Sequence, residues 1–252
     1  MGTLCVDLFI TCSGNIADCS LLAMSDPSQR IVRLYAMQPE FVQLRTIKGE
    51  DSGAADTPWK LCFRQQHSLF ICYAAGVWEV SLLGERLRCF DAPGTRAVAL
   101  HDSTLAAALP NCSVTLFSVS SGEPLRTFRV GTDTYCEALR FSSDGAHIIA
   151  RLLHKASAVK FTSAGVMVGT IFTGEHDTTG DVEFTGDECP VVTDFTSHRI
   201  MVLPSGGEEM PVGVMQPACT YGAACMFPVA LAVAGNQLFV AFAHSMRVLV
   251  FG

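Results

Sequence analysis

Lysine is nearly missing from this 252-residue chain: Lys48, Lys60, Lys155 and Lys160 are all it has. Charged residues of every kind make up only 16%, and the formal net charge is −7. A nucleic-acid surface needs Lys and Arg clustered against phosphates. The composition therefore argues against a general one and leaves room only for a local basic patch. Long apolar runs are missing as well. Hydrophobic residues reach 49%, yet no stretch attains the roughly 18 uninterrupted apolar residues of a membrane-spanning helix. The hydrophobicity is spread over many short segments, which is the pattern of many buried strands, in a chain long enough to bury a substantial core.

Several motifs are absent too. No Cys-x-x-Cys pair occurs among the 11 cysteines, and most of them sit inside apolar runs, such as Cys62 and Cys72. They are expected to be reduced, buried thiols of a cytoplasmic protein. No basic leader precedes Leu4-Cys5-Val6, and Asp7 interrupts that run, so no secretory signal is expected. There is no Gly-x-x-x-x-Gly-Lys or Gly-x-Gly-x-x-Gly for phosphates, and no Gly-x-Ser-x-Gly elbow. No spacing fits zinc. The densest acidic stretch holds Glu175-His176-Asp177, Asp181, Glu183 and Asp187-Glu188-Cys189. Neighbours on a strand point to opposite faces, so this stretch reads as a solvated acidic loop. Neither catalysis, cofactor nor metal is expected. Asn111-Cys112-Ser113 fits a glycosylation acceptor but is read as a turn.

What is present is a repeat. Val77–Phe90 and Thr115–Phe128 align without gaps and share Gly-Glu-x-Leu-Arg-x-Phe after a strand-like run. Each reads as strand, glycine turn, strand. Further copies run from Ala158 to Phe172 and from Arg199 to Val214, and their third strand recurs at Arg30–Tyr35 and Arg247–Phe251. With Arg30, Val77, Thr115, Ala158, Arg199 and Arg247 as anchors, the spacings are 47, 38, 43, 41 and 48. Propeller repeats recur at about 40–45 residues. A second hairpin precedes each anchor, as in Glu137–Ala150, which turns at Asp144-Gly145, and Pro228–Phe242, which turns at Gly235-Asn236. Both pairs suit tight turns, because Gly and Asn tolerate positive φ. The alanine run 106–108 is read as strand, since Pro110 stops a helix at once.

The expected fold is therefore all-β: a six-bladed β-propeller with four-stranded antiparallel blades at about 4–50, 57–91, 95–131, 135–174, 180–216 and 226–252. The last blade is incomplete, because the sequence stops after its third strand. It either keeps three strands, borrows the N-terminal residues, or is completed by a partner or by chain outside this sequence.

The stretch Val191–Leu203 resembles an NHL repeat, whose pattern places Asp, then Asn, then Arg and an aliphatic residue after an apolar strand. Asp194, Arg199 and Ile200 match, and Ser197 replaces the Asn. Phe239–Phe251 is similar, with Arg247 and Val248 in place. Asp26–Ile31 matches with one residue deleted. Leu139–Gly145 and Ser118–Phe128 look more like WD repeats, without the Trp-Asp pair. The resemblance implies a propeller that hosts binding modules and, in some members, enzymes.

Independently of that resemblance, Asp194 and Arg199 flank one turn, and their pairing would pin it. The turns between second and third strands also carry Arg30, His154, Lys155, His198, His244 and Arg247. Basic and imidazole groups gathered on one face of an acidic protein suit a protein or peptide partner, acidic or phosphorylated. Trp59 and Trp78 are read as blade packing, or as anchors for a partner. The expected role is a non-enzymatic scaffold. The alternatives are a metal-dependent propeller lyase or hydrolase, with His or carboxylate groups converging on the central channel, and an RNA-binding NHL-type domain with a continuous positive face.

Overall fold

The computed structural model describes residues 9–13, 21–36, 42–48, 57–64, 67–132, 135–153, 157–172, 180–185, 189–194, 197–204, 213–215, 228–234, 237–242 and 247–251. Within them the chain forms strands and turns, in six small antiparallel sheets arranged as a propeller.

Blade 1 is β1 (Phe9–Ser13), β2 (Leu21–Asp26), β3 (Ile31–Ala36) and β4 (Val42–Lys48). Blade 2 is β5 (Leu61–Arg64), β6 (Ser68–Tyr73), β7 (Gly76–Ser81) and β8 (Arg86–Phe90). Blade 3 is β9 (Ala97–His101), β10 (Thr104–Leu109), β11 (Ser113–Ser118) and β12 (Pro124–Arg129). Blade 4 is β13 (Cys136–Phe141), β14 (His147–Leu152), β15 (Ser157–Thr162) and β16 (Met167–Phe172). Blade 5 is β17 (Val182–Phe184), β18 (Pro190–Asp194), β19 (Arg199–Val202) and β20 (Gly213–Met215). Blade 6 has three strands, β21 (Pro228–Ala234), β22 (Gln237–Phe242) and β23 (Arg247–Phe251). Residues 1–8, one expected source of a fourth strand here, lie outside the described residues.

In each blade the strands run in chain order, a to d, from the axis outwards. The innermost strands touch in sequence around the ring, and β21 returns to β1. The packing closes in the same way. Six apolar cores each join one blade to the next. Leu22, Met24, Ala230, Ala232, Phe239 and Ala241 form the one that joins blade 6 to blade 1.

This arrangement explains the short apolar runs. A b strand packs against a neighbouring blade on both faces, so every residue of β2 and β6 is buried. Leu21 and Ala23 face blade 2, while Leu22 and Met24 face blade 6. The alanine run of β10 divides likewise: Ala106 and Ala108 face blade 4, and Ala107 faces blade 2. Small side chains let blades approach closely there. Outer strands have one wet side, and β8 alternates accordingly.

The shared Gly-Glu-x-Leu-Arg-x-Phe also has a physical reading. Its glycine makes the c–d turn, with φ of 91° at Gly84, 81° at Gly122 and 83° at Gly165, a region that L side chains rarely adopt. Its arginine reaches the c–d turn of the next blade. Arg45 donates to the Leu83 carbonyl at 3.0 Å, Arg88 to those of Val119 and Ser120, and Arg126 to that of Ala164 at 2.8 Å. These arginines are equivalent by register, each in the last pair before a bulge. In blade 4 that place is taken by Gly169, opposite Lys160, and nothing lies within contact of a Cβ built there.

Candidate functional site

Two groups of polar residues stand out against the apolar blades. The first is on the face formed by the b–c turns. Strand b of blade 1 ends at Asp26 and that of blade 5 at Asp194, and both carboxylates are buried. Each folds the next turn around itself. Asp26 Oδ1 accepts from the Gln29 amide at 3.0 Å and from Ser28 Oγ at 2.6 Å. Asp194 Oδ1 accepts from the Ser197 amide at 3.0 Å. The residue four places on turns left-handed in both, Arg30 at φ 56° and His198 at φ 54°. A side-chain acceptor that replaces a backbone partner is what makes such a turn.

The second carboxylate oxygen takes a guanidinium in each blade. Asp194 Oδ2 pairs with Arg199 at 3.3 Å, and Asp26 Oδ2 with Arg33 at 3.3 Å. This corrects the one-residue deletion read between the two turns. Asp26 lies opposite Ile31, and Asp194 opposite Arg199. Arg30 is thus the counterpart of His198, and the two turns are equal in length. Arg33 supplies the charge from two residues further along its strand. Arg30, free of that task, is exposed on the turn.

Of the other expected partner-binding residues, His154, Lys155 and His244 lie outside the described residues. Arg247 begins β23 opposite Phe242; its side chain is not described. Trp59 is half-buried against the core between blades 2 and 3, and Trp78 against that between blades 1 and 2. The Arg86 guanidinium lies 4.7 Å over the Trp78 ring. Asn111 is a turn residue, its Oδ1 accepting from the Ser113 amide.

The second group is on the ring axis. Lys60 Nζ lies 3.1 Å from Asp181 Oδ1, with both side chains buried. Lys60 leads into β5 of blade 2 and Asp181 into β17 of blade 5. Those blades are three steps apart in a ring of six, so the pair meets across the channel. Asp181 Oδ2 accepts from the Leu231 amide of blade 6 at 3.2 Å and lies 3.8 Å from Arg140 Nη2 of blade 4. Arg140 Nε in turn donates to Glu183 Oε2 at 2.8 Å. One carboxylate thereby joins four blades. Gly180, just before it, packs against β18: a Cβ there would meet the Thr193 carbonyl oxygen at 2.1 Å.

The electrostatics follow from burial and pairing. Burial alone would raise the Asp181 pKa, but Lys60 and Arg140 outweigh it and hold the carboxyl below its ordinary value. Burial would likewise lower Arg140, but Glu183 and Asp181 keep it above its ordinary value. Arg151 on β14 is fully buried, and burial pulls its pKa down against the opposing fields of Glu137, Asp194 and Asp181. Arg151 therefore feels both the b–c turn of blade 5 and the axis. Cys62, beside this network, has its thiol pushed up to about 12 by burial. It is a protonated hydrophobe, not a nucleophile.

Asp181 and Glu183 overturn part of the expected solvated acidic loop; residues 175–177, 187 and 188 of it lie outside the described residues. Asp181 is 1% exposed at the centre of the molecule. The sequence signal was available: Lys60 abuts Leu61-Cys62-Phe63, Asp181 precedes Val182, and Arg140 interrupts Leu139 and Phe141. Each is a charge set at an innermost strand. Asp181 and Glu183 are each matched by a cation, and among the described residues no three His, Cys, Asp or Glu side chains are grouped as a metal site. Nor is any helix long and apolar enough to cross a membrane there.

The fold and these sites define a six-bladed β-propeller with a charged axis. No known family profile and no curated protein matches the sequence, so the NHL and WD likenesses rest on the quoted motif residues alone.

Proposed function

We propose that this protein is a non-enzymatic interaction scaffold of the cytoplasm that presents its b–c turns to an acidic or phosphorylated peptide. The observation that carries this reading is the pair of equivalent turns on buried Asp26 and Asp194. Each turn holds a basic or imidazole residue, Arg30 or His198, in a left-handed backbone conformation. Non-glycine residues held there are strained, and such strain gathers where side chains are displayed for a purpose. A closed ring is rigid and orients these groups before binding, which lowers the ordering cost of association. The matched charges of the axis favour a structural role for the channel over a catalytic one.

The test is affinity capture from native cells with mass spectrometry, using the parent protein and an Arg30→Glu/His198→Glu variant. Recurrent partners with acidic or phosphorylated segments are expected, and the variant should lose them at unchanged thermal stability. Partners retained by the variant would reject the b–c turns as the docking face.

A further inference from the structure

A second site lies on the opposite face, where the a–b and c–d turns emerge. Between blades 2 and 3 is a cavity of about 630 Å³ lined by Phe63, Arg64, Ser68, Glu79, Leu87 and Leu100, with His67, His101 and Asp102 at the a–b turns. That volume falls within the roughly 300–1,000 Å³ of small-molecule sites.

Its distinctive group is Glu79 on β7, whose side chain is 5% exposed. Arg64 Nη1 donates to its Oε1 at 2.8 Å, and Ser68 Oγ donates to the same oxygen at 2.7 Å. Among the described residues no donor reaches Oε2. Glu79 lines the cavity with that oxygen able to accept, so a ligand donor placed there would complete the hydrogen bonding of the carboxylate. Arg64 makes this one side-chain hydrogen bond among the described residues, and its side chain is 41% exposed. Its other N–H groups can donate to an acceptor in the cavity.

The cavity thus offers an anion and a cation side by side between apolar walls. A simple amine would meet Glu79 but also the Arg64 charge. A simple carboxylate would meet Arg64 but also Glu79, with Asp102 beyond. A ligand that carries both charges on neighbouring atoms satisfies both groups and adds no net charge. We propose that this cavity binds an α-amino acid zwitterion with an apolar side chain. Its ammonium meets Glu79 Oε2, its carboxylate meets Arg64, and its side chain lies against Phe63, Leu87 and Leu100.

The test is calorimetric titration of the full chain with L-leucine and L-phenylalanine, and with phenylalaninamide and N-acetylphenylalanine, which each lack one charge. Binding of at least one free amino acid is expected, weakened at least about tenfold by the loss of either charge, as for other charge-assisted hydrogen bonds. Glu79→Gln should weaken it by a similar factor. Because Glu79 also braces blade 2, Leu87→Trp is the second variant: Leu87 is 55% exposed, so a larger side chain there fills the mouth without disturbing the core. It should abolish binding at an unchanged unfolding temperature. The proposal is overturned if neither amino acid binds the parent protein, if a single-charge derivative binds as well as its parent, or if Leu87→Trp binds normally. None of these outcomes bears on peptide capture by the b–c turns.

Discussion

The axis and the rim of this propeller use the same kind of contact, a cation against oxygen, under opposite conditions. On the axis, Lys60, Arg140 and Asp181 meet away from solvent, and the Lys60–Asp181 pair joins blades that are not neighbours. On the rim, Arg45, Arg88 and Arg126 join blades 1 to 4 in sequence, largely in water. Burial makes a completed ion network resistant and an incomplete one costly, because a charge left behind cannot be rehydrated. Exposure makes each rim contact weak but additive. The difference teaches that residues of one type serve two scales: the axis fixes whether the ring closes, and the rim tunes how firmly neighbours sit.

The largest effect that would sharpen this contrast comes from Asp181→Asn. It removes the buried carboxylate charge that faces Lys60 and Arg140 and should cost about 3–5 kcal/mol in urea unfolding. The double variant Lys60→Met/Asp181→Leu should cost less than the single change. A loss below about 1 kcal/mol for the single change would erase the distinction between axis and rim.

Acid comes next. The folded pKa of Asp181 lies below its ordinary value, so the unfolded chain takes up that proton first. The contribution of Asp181 is fully present above the ordinary aspartate pKa of about 3.9 and is lost as pH falls through the depressed folded value. The unfolding temperature should drop below about pH 4, and Asp181→Asn should show a shallower drop.

The smallest effects belong to the rim. Arg88→Ala should cost about 0.5–1 kcal/mol, and Gly169→Arg should gain up to about 1 kcal/mol by stiffening β16 and supplying the guanidinium absent there. Equal losses from Arg88→Ala and Asp181→Asn would show that burial is not what separates the two regions.

The repeat was legible in the sequence because it is local. Gly84, Gly122 and Gly165 mark turns by backbone necessity, and the c strands recur at nearly constant spacing. The alanine run at 106–108 could be read as strand because Pro110 denied the helix. The axis was legible only as isolated charges beside innermost strands, since Lys60, Arg140 and Asp181 come from three blades and become a network only when the ring brings them together. Asp181 looked like one more solvated acid because its sequence neighbours are acidic, while its spatial neighbours are cations. The Arg30 alignment slipped for a related reason: Asp26 draws its guanidinium from Arg33, out of step with Asp194 and Arg199. The Glu79 cavity stayed hidden because its walls come from two blades.

The Lys60–Asp181 contact spans 121 residues of chain, the difference between the two numbers. During synthesis blades 1 to 4 can form by local pairing and stack as an open arc, but the Lys60–Asp181 pair cannot form until blade 5 leaves the ribosome. Contacts of such long range are slow, because chain entropy is spent before they reward it. This pair therefore forms only in a ring large enough to set blade 5 opposite blade 2.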